Sequence, residues 1–210
     1  VDCDDYEAAS GHFKYSWQKS IISNSERQLP RRADFVTTNT QFMRSKLVSW
    51  GIDPSKIIQL PNGIDRQRFA NPEPEQVETL RTRLGLGGKK VIAFIGSLSL
   101  VSHPINLLLE AFEIIRSQIS DGHLLIVGGG ESYDELRVQA ERLDLKDDVS
   151  FTGRVPPDQL VNYYHLSHVT VDPVYDNEAA RGRLPMKLFE SWACGVPFIT
   201  ADVGDRRQYL

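Results

Sequence analysis

From Val91 to Thr200 the chain alternates short, almost wholly apolar runs with amphipathic helical stretches, and no other feature restricts its possible folds as much. The runs V-I-A-F-I (91–95), L-L-I-V (124–127), V-S-F (149–151), V-T-V-D (169–172) and V-P-F-I-T (196–200) read as strands. Helical spacing marks Asn106–Ile119, Tyr133–Leu143, Asp158–Leu166 and a helix starting at Pro185. Strands apolar on both faces and separated by helices pack as a parallel sheet covered on both sides, an α/β architecture. Open sheets of this kind bind ligands beyond the carboxyl ends of their strands. Here those ends run into Gly96-Ser97, Gly128-Gly129-Gly130-Glu131, Thr152-Gly153-Arg154 and Asp172-Pro173.

The first part of the chain has similar elements in a less regular order. V-D-C-D-D-Y-E reads as the tail of an apolar strand with no turn before it, so the chain is expected to begin inside a fold. A helical pattern over Ser16–Leu29, a strand over Phe35–Thr38, a helix over Thr40–Trp50 stopped by Gly51, and a strand over Ile57–Leu60 follow. Pro61-Asn62-Gly63 then forces a turn. From Asn71 to Gly88 the composition shifts to Pro, Glu, Arg and Gly around one short helix, Glu75–Leu84, which marks a domain boundary. The expected division is residues 1–66, a linker over 67–88, and a second domain over 89–210.

Composition narrows the function classes. A formal charge of −4 over 210 residues, with only isolated basic pairs, argues against a nucleic-acid partner. No apolar run reaches the length of a membrane span and the first residues do not resemble a signal peptide, so a soluble, cytoplasmic protein is expected. Cys3 and Cys194 lie far apart in buried-looking elements and are expected as free thiols; no His/Cys cluster has metal-ligand spacing, and no metal is expected.

The stretch R-L-P-M-K-L-F-E-S-W-A-C-G-V-P-F-I-T (183–200) carries the clearest chemical signal. Pro185 suits a first helical position, Leu188, Phe189, Trp192 and Ala193 form an apolar stripe, and Gly195 ends the helix. The amides of Met186, Lys187 and Leu188 have no acceptor inside the helix, and together with the Lys187 ammonium they make an anion site. The same segment also reads as an ordinary amphipathic helix with a Lys187–Glu190 pair one turn apart. Gly128-Gly129-Gly130 lacks the third glycine of a dinucleotide fingerprint, Tyr133 standing in its place, and a tight turn accounts for it.

In their order and spacing these blocks resemble the retaining GT-B glycosyltransferases. The similarity runs through A-D-F-V-T-T-N-T (33–40), L-P-N-G-I-D (60–65), F-I-G-S-L (94–98), L-L-L-E-A-F (107–112), L-L-I-V-G-G-G-E (124–131), V-S-F-T-G-R-V (149–155) and L-P-M-K-L-F-E-S-W-A-C-G-V-P-F-I-T (184–200). The resemblance implies two Rossmann-like domains, residues 1–66 being the end of the acceptor side and 89–210 most of the nucleotide-sugar side, with the chain truncated at both ends. It implies transfer of a sugar from a nucleoside diphosphate sugar, UDP being the expected nucleotide with GDP and ADP left open, to a glycan, lipid-linked or small-molecule acceptor in polysaccharide biosynthesis. No cofactor is implied, and membrane contact would be at most peripheral, at the inner face, through a preceding part of the protein.

Glu190 matches the second glutamate of the family's Glu-seven residues-Glu motif, which holds the ribose; the first falls on Gly182, and Glu178 is the candidate replacement. Where many relatives carry an arginine and a lysine for the diphosphate, this chain has Ser97 and His103-Pro104. Lys187 is the candidate for that charge, with Arg181 and Arg183 nearby. Gly96, Ser97, His103, Gly130, Met186, Lys187 and Leu188 would surround the phosphates, and Arg154-Val155 would hold the base through main-chain contacts. Asp4 and Asp5 would face the acceptor, or be solvated loop residues. Lys187 and Glu178 are the catalytic candidates. A GT-B sugar-nucleotide epimerase and a non-catalytic nucleotide-sugar binder remain alternatives. On the resemblance, this chain by itself is expected to bind nucleotide without transferring sugar.

Overall fold

The computed structural model describes residues 1–209, and its chain divides by contacts into two compact units. The first comprises Val1–Gly63 and Val174–Pro185 together with the stretch from Ala201 on; the second comprises Ile64–Pro173 and Met186–Thr200.

In the first unit β1 (Val36–Thr38) and β2 (Ile57–Gln59) pair in parallel, Val36 opposite Ile57. Val1–Cys3 runs alongside β1, with Thr37 N–H donating to the Val1 carbonyl and Cys3 N–H to that of Thr37, each at 2.9 Å. Helix α1 spans Ser16–Arg32 and α2 spans Gln41–Ser49. The α2 start is tied twice: the Thr40 hydroxyl accepts from Met43 N–H at 3.2 Å, and Asp205 accepts from Gln41 N–H at 2.5 Å. Val36, Leu47, Ile52 and Ile57 form one core cluster, and Tyr6, Ala8 and Met43 another. The fully buried Arg206 guanidinium donates to the Ala180 carbonyl at 2.9 Å. Through this bond and that of Asp205, the stretch after Ala201 is tied to this unit.

The second unit holds the parallel sheet that the alternation predicts. Its strands are β3 (Lys90–Ile95), β4 (Gly122–Val127), β5 (Val149–Phe151), β6 (Val169–Asp172) and β7 (Phe198–Thr200), in the order β5-β4-β3-β6-β7. Helices α3 (Arg66–Ala70), α4 (Pro74–Arg83), α5 (Ile105–Ile115), α6 (Tyr133–Arg142), α7 (Leu160–Leu166) and α9 (Met186–Ala193) surround it, while α8 (Glu178–Gly182) lies in the first unit. Alternate residues of β3 and β4 enter separate cores: Val91, Ala93, Leu125 and Val127 on one face, Phe94, Leu124 and Ile126 on the other. Burial on both faces is why these strands carry no polar alternation.

The segment expected as a linker is built into this unit. Phe69, Leu80 and Leu86 join its core, and α4 packs on α7, so the Glu- and Arg-rich composition of 71–88 is only the solvent face of a packed element. Connections leave β3 toward β4 and β6 toward β7, so the chain reverses its direction across the sheet between β3 and β6. Such a switch point opens a crevice at the carboxyl ends of the two strands.

Candidate functional site

Three glycines let the loops around this crevice close. Gly96 N–H donates to the Val127 carbonyl at 2.9 Å, Leu98 N–H to that of Gly129 at 3.1 Å, and Ser132 N–H to that of Leu98 at 3.0 Å. The loops after β3 and β4 therefore stay paired past the strand ends. A Cβ on Gly128 would lie 1.9 Å from the Gly96 oxygen, one on Gly130 2.3 Å from the Leu98 oxygen, and one on Gly129 2.7 Å from the Arg154 Cγ. Close backbone approach accounts for Gly128 and Gly130, and the Arg154 side chain for Gly129. The expected tight turn toward the next helix is only part of it.

A cleft of about 450 Å³ opens here, with Gly96, Ser97, Gly128, Gly129, Arg154, Val155, Pro157, Leu160 and Glu190 among its lining residues. Five of the residues singled out from sequence thus share one cavity: Gly96, Ser97, Arg154, Val155 and Glu190. The Tyr164 hydroxyl, on a fully buried side chain, donates to Glu190 Oε2 at 2.5 Å. Burial, and then the Glu190 charge, push the Tyr164 phenol upward, so it keeps its proton.

Beside the cleft, at the β3–β6 switch, stands a cluster of charged groups. The Lys187 ammonium lies 2.9 Å from Asp172 Oδ1, and Asp172, ending β6, is 1% exposed. His103 Nδ1 is 3.7 Å from the same oxygen, and the ammonium sits 4.3 Å from the Phe94 ring centre. Lys187 Nζ also lies 3.0 Å from where a Gly96 Cβ would be. The Lys187–Glu190 pair is thus replaced by two longer-range partnerships, Lys187 with Asp172 and Glu190 with Tyr164. The helix stripe differs as well: α9 buries Leu188 and Ser191, and Trp192 is 42% exposed. Ser191 and Thr170 of β6 share a hydroxyl–hydroxyl hydrogen bond, a polar contact that apolar periodicity does not register.

Gly130, His103, Met186, Lys187 and Leu188 are not among the residues lining the cleft. Leu188 is buried as a packing residue, and Met186 is exposed at the helix start. Glu178, Arg181 and Arg183 lie in the first unit. There Glu178 pairs with Lys46 at 2.5 Å, Arg181 makes a two-pronged contact with Asp176, and Arg183 lies 3.8 Å from Asp5. Gly182 is buried, and a Cβ there would lie 3.2 Å from Tyr6 Cβ and 3.4 Å from Met43 Sδ, so a side chain at this position would need its neighbours to give by a few tenths of an ångström. Asp4 and Asp5 line a separate cavity of about 570 Å³ within the first unit. Burial raises both carboxyl groups above their ordinary range, with Asp2 reinforcing the effect on Asp4 and Arg183 opposing it on Asp5.

Asp172 and Tyr164 are the site residues that sequence reasoning missed. Asp172 was visible as the polar end of a strand, but its pairing with Lys187 depends on register. Tyr164 reads as one more apolar residue of a buried helix. Among the described residues no group of three or more His, Cys, Asp or Glu side chains could hold a metal ion, both cysteines are free thiols, and no helix is long and apolar enough to cross a membrane.

A helix-covered parallel sheet with a switch-point crevice is an α/β fold, and its structural neighbours are GT-B glycosyltransferases. The Anabaena protein HepE, solved in complex with UDP-glucose, matches 100% of this chain with a TM-score of 0.80 and 21% identity, over 54% of its own length. Residues 76–210 match Glycosyl transferases group 1, and residues 7–68 match Glycosyltransferase Family 4. The chain belongs to the glycosyl transferases group 1 family. The GDP-mannose-dependent alpha-(1-6)-phosphatidylinositol monomannoside mannosyltransferase of Mycolicibacterium smegmatis is 30% identical to it over 198 residues, 92% of this chain and 51% of the relative. The D-inositol 3-phosphate glycosyltransferase of Segniliparus rotundus is 30% identical over 185 residues, 85% of this chain and 39% of the relative. The chain therefore spans about half, or less, of the length of these curated relatives.

Proposed function

We propose that the cleft of the second unit binds a nucleoside diphosphate sugar, and that the protein transfers the sugar with retention and without a metal ion to a glycan or lipid-linked acceptor. The observation that carries this reading is the convergence of Gly96, Ser97, Arg154, Val155 and Glu190 on one cavity at the carboxyl ends of β3, β4 and β5. The carboxylate of Glu190 takes the ribose hydroxyls, and the main chain at Arg154-Val155 takes the base. Ser97, in the lining of the cleft, faces the diphosphate, on which negative charge grows as the sugar leaves. The Lys187 ammonium, having given one N–H to Asp172, keeps two more donors for that charge. The first unit, with Asp4 and Asp5, is the acceptor side in this reading. A UDP-sugar is the donor we favour, since HepE was solved with UDP-glucose; the mannosyltransferase relative is named as GDP-dependent.

Titration calorimetry of the 210-residue chain with UDP, GDP, ADP and inorganic diphosphate tests the donor site. One nucleotide should bind, and Glu190→Gln should weaken it about tenfold while sparing diphosphate. Failure of all three nucleotides to bind refutes the reading. The glycine at 182, where the resemblance expects a glutamate, favours a second one, a nucleotide-sugar binder without turnover; binding with no transfer or isomerisation by a protein carrying both complete units would select it.

A further inference from the structure

We infer that Tyr164 is a positioning residue for the donor nucleotide: its buried hydroxyl holds the Glu190 carboxylate from behind, through Oε2, in the orientation that offers Oε1 to the ribose. The inference rests on the donor-site reading above and adds to it a residue that does not touch the ligand.

The geometry singles out Tyr164. Glu190 forms part of the cleft wall, whereas Tyr164 is fully buried and is not among the lining residues. Glu190 projects from the middle of α9, a residue type with three side-chain torsions whose free rotation would cost binding entropy. The 2.5 Å hydrogen bond removes much of that freedom before any ligand arrives. The phenol is itself fixed: its ring meets Phe69 edge-on at 6.0 Å between centres, and α7 carries it in the same core as β3 and β4. A chain of packed groups, Phe69 to Tyr164 to Glu190, thus sets a carboxylate on the cleft wall. The phenol keeps its proton, as burial requires, so toward the Glu190 carboxylate it is the donor. Its donation leaves Oε1 free to accept from both ribose hydroxyls or to share them with the second lone pair of Oε2.

The test is a double-mutant cycle in ligand affinity. Tyr164→Phe removes one oxygen and keeps the ring, and thermal unfolding checks that the variant is folded. Calorimetry then compares the bound nucleoside diphosphate, its 2′,3′-dideoxy analogue and inorganic diphosphate for wild type, Tyr164→Phe, Glu190→Gln and the double variant. Tyr164→Phe should weaken the nucleoside diphosphate by about tenfold, leave the dideoxy analogue and inorganic diphosphate within about twofold, and have no further effect once Glu190→Gln is present. A purely structural role predicts a different result, equal losses for all three ligands. Equal losses, or additive effects of the two substitutions, would overturn the inference while leaving the donor site intact. If the wild type binds no nucleotide at all, the donor-site reading fails first and the inference goes with it.

Discussion

Replacing Lys187 by methionine should destabilise the second unit more than it changes any ligand contact. Asp172 is 1% exposed and the Lys187 side chain 12%, with 2.9 Å between Nζ and Oδ1. Removing one member of a buried pair leaves the other charged in a poorly solvated place, typically a cost of about 3–5 kcal/mol. The lost contact over Phe94 at 4.3 Å adds about 0.5–2 kcal/mol. A loss of about 3 kcal/mol is expected for Lys187→Met, read as a shift of the urea midpoint followed by circular dichroism. Asp172→Asn should also destabilise. The double variant, with neither charge, should recover about 2 kcal/mol relative to the sum of the two, because the penalty belongs to the unpaired charge. A Lys187→Met loss below about 1 kcal/mol, or additivity within about 0.5 kcal/mol, would show that the pair is not a buried couple. Diphosphate affinity in the Asp172→Asn background then isolates what Lys187 does for a ligand, since the ammonium there has no carboxylate to answer.

Gly128→Ala forces a Cβ to within 1.9 Å of a backbone oxygen and should cost about 3 kcal/mol in urea denaturation. Gly153→Ala, at φ 70° but in open space, should cost only about 1 kcal/mol, and an equal loss at both would contradict the close approach of the two loops. Burial first, and then the Glu190 charge, push the Cys194 thiol up to about 12. At pH 8 only about one molecule in ten thousand then carries the reactive thiolate. Iodoacetamide at pH 8 should therefore label Cys194 in the folded chain at least a hundredfold more slowly than in urea; comparable rates would place that thiol at the surface.

How far the sequence alone could be read follows from the range of the interactions. Apolar runs on both faces of a strand are local, so β3, β4, β5, β6 and β7, with α5, α6, α7 and α9, were legible one window at a time. Glycine after a strand is local too, and it pointed to the loops that carry Gly96, Gly128 and Gly129. Glu190 and Arg154-Val155 were found through the resemblance of a motif, which is again a pattern within one stretch. What a window cannot contain is a partner. The polar composition of 71–88 did not show that Leu80 and Leu86 would be core residues of the second unit, because burial depends on what α4 packs against. Lys187 and Glu190 sit one turn apart on α9 and looked like a pair; strand order placed Asp172 beside the one and helix packing placed Tyr164 beside the other. The assignment of 174–185 and of the residues from Ala201 on to the first unit was likewise decided by Arg206 and Asp205 reaching across the chain to Ala180 and Gln41. The sequence by itself determined which elements form and which residues carry chemistry. Only tertiary structure decided which of those residues answer one another, because a hydrogen bond or ion pair depends on distances of a few ångströms between groups separated by 15 to more than 100 residues.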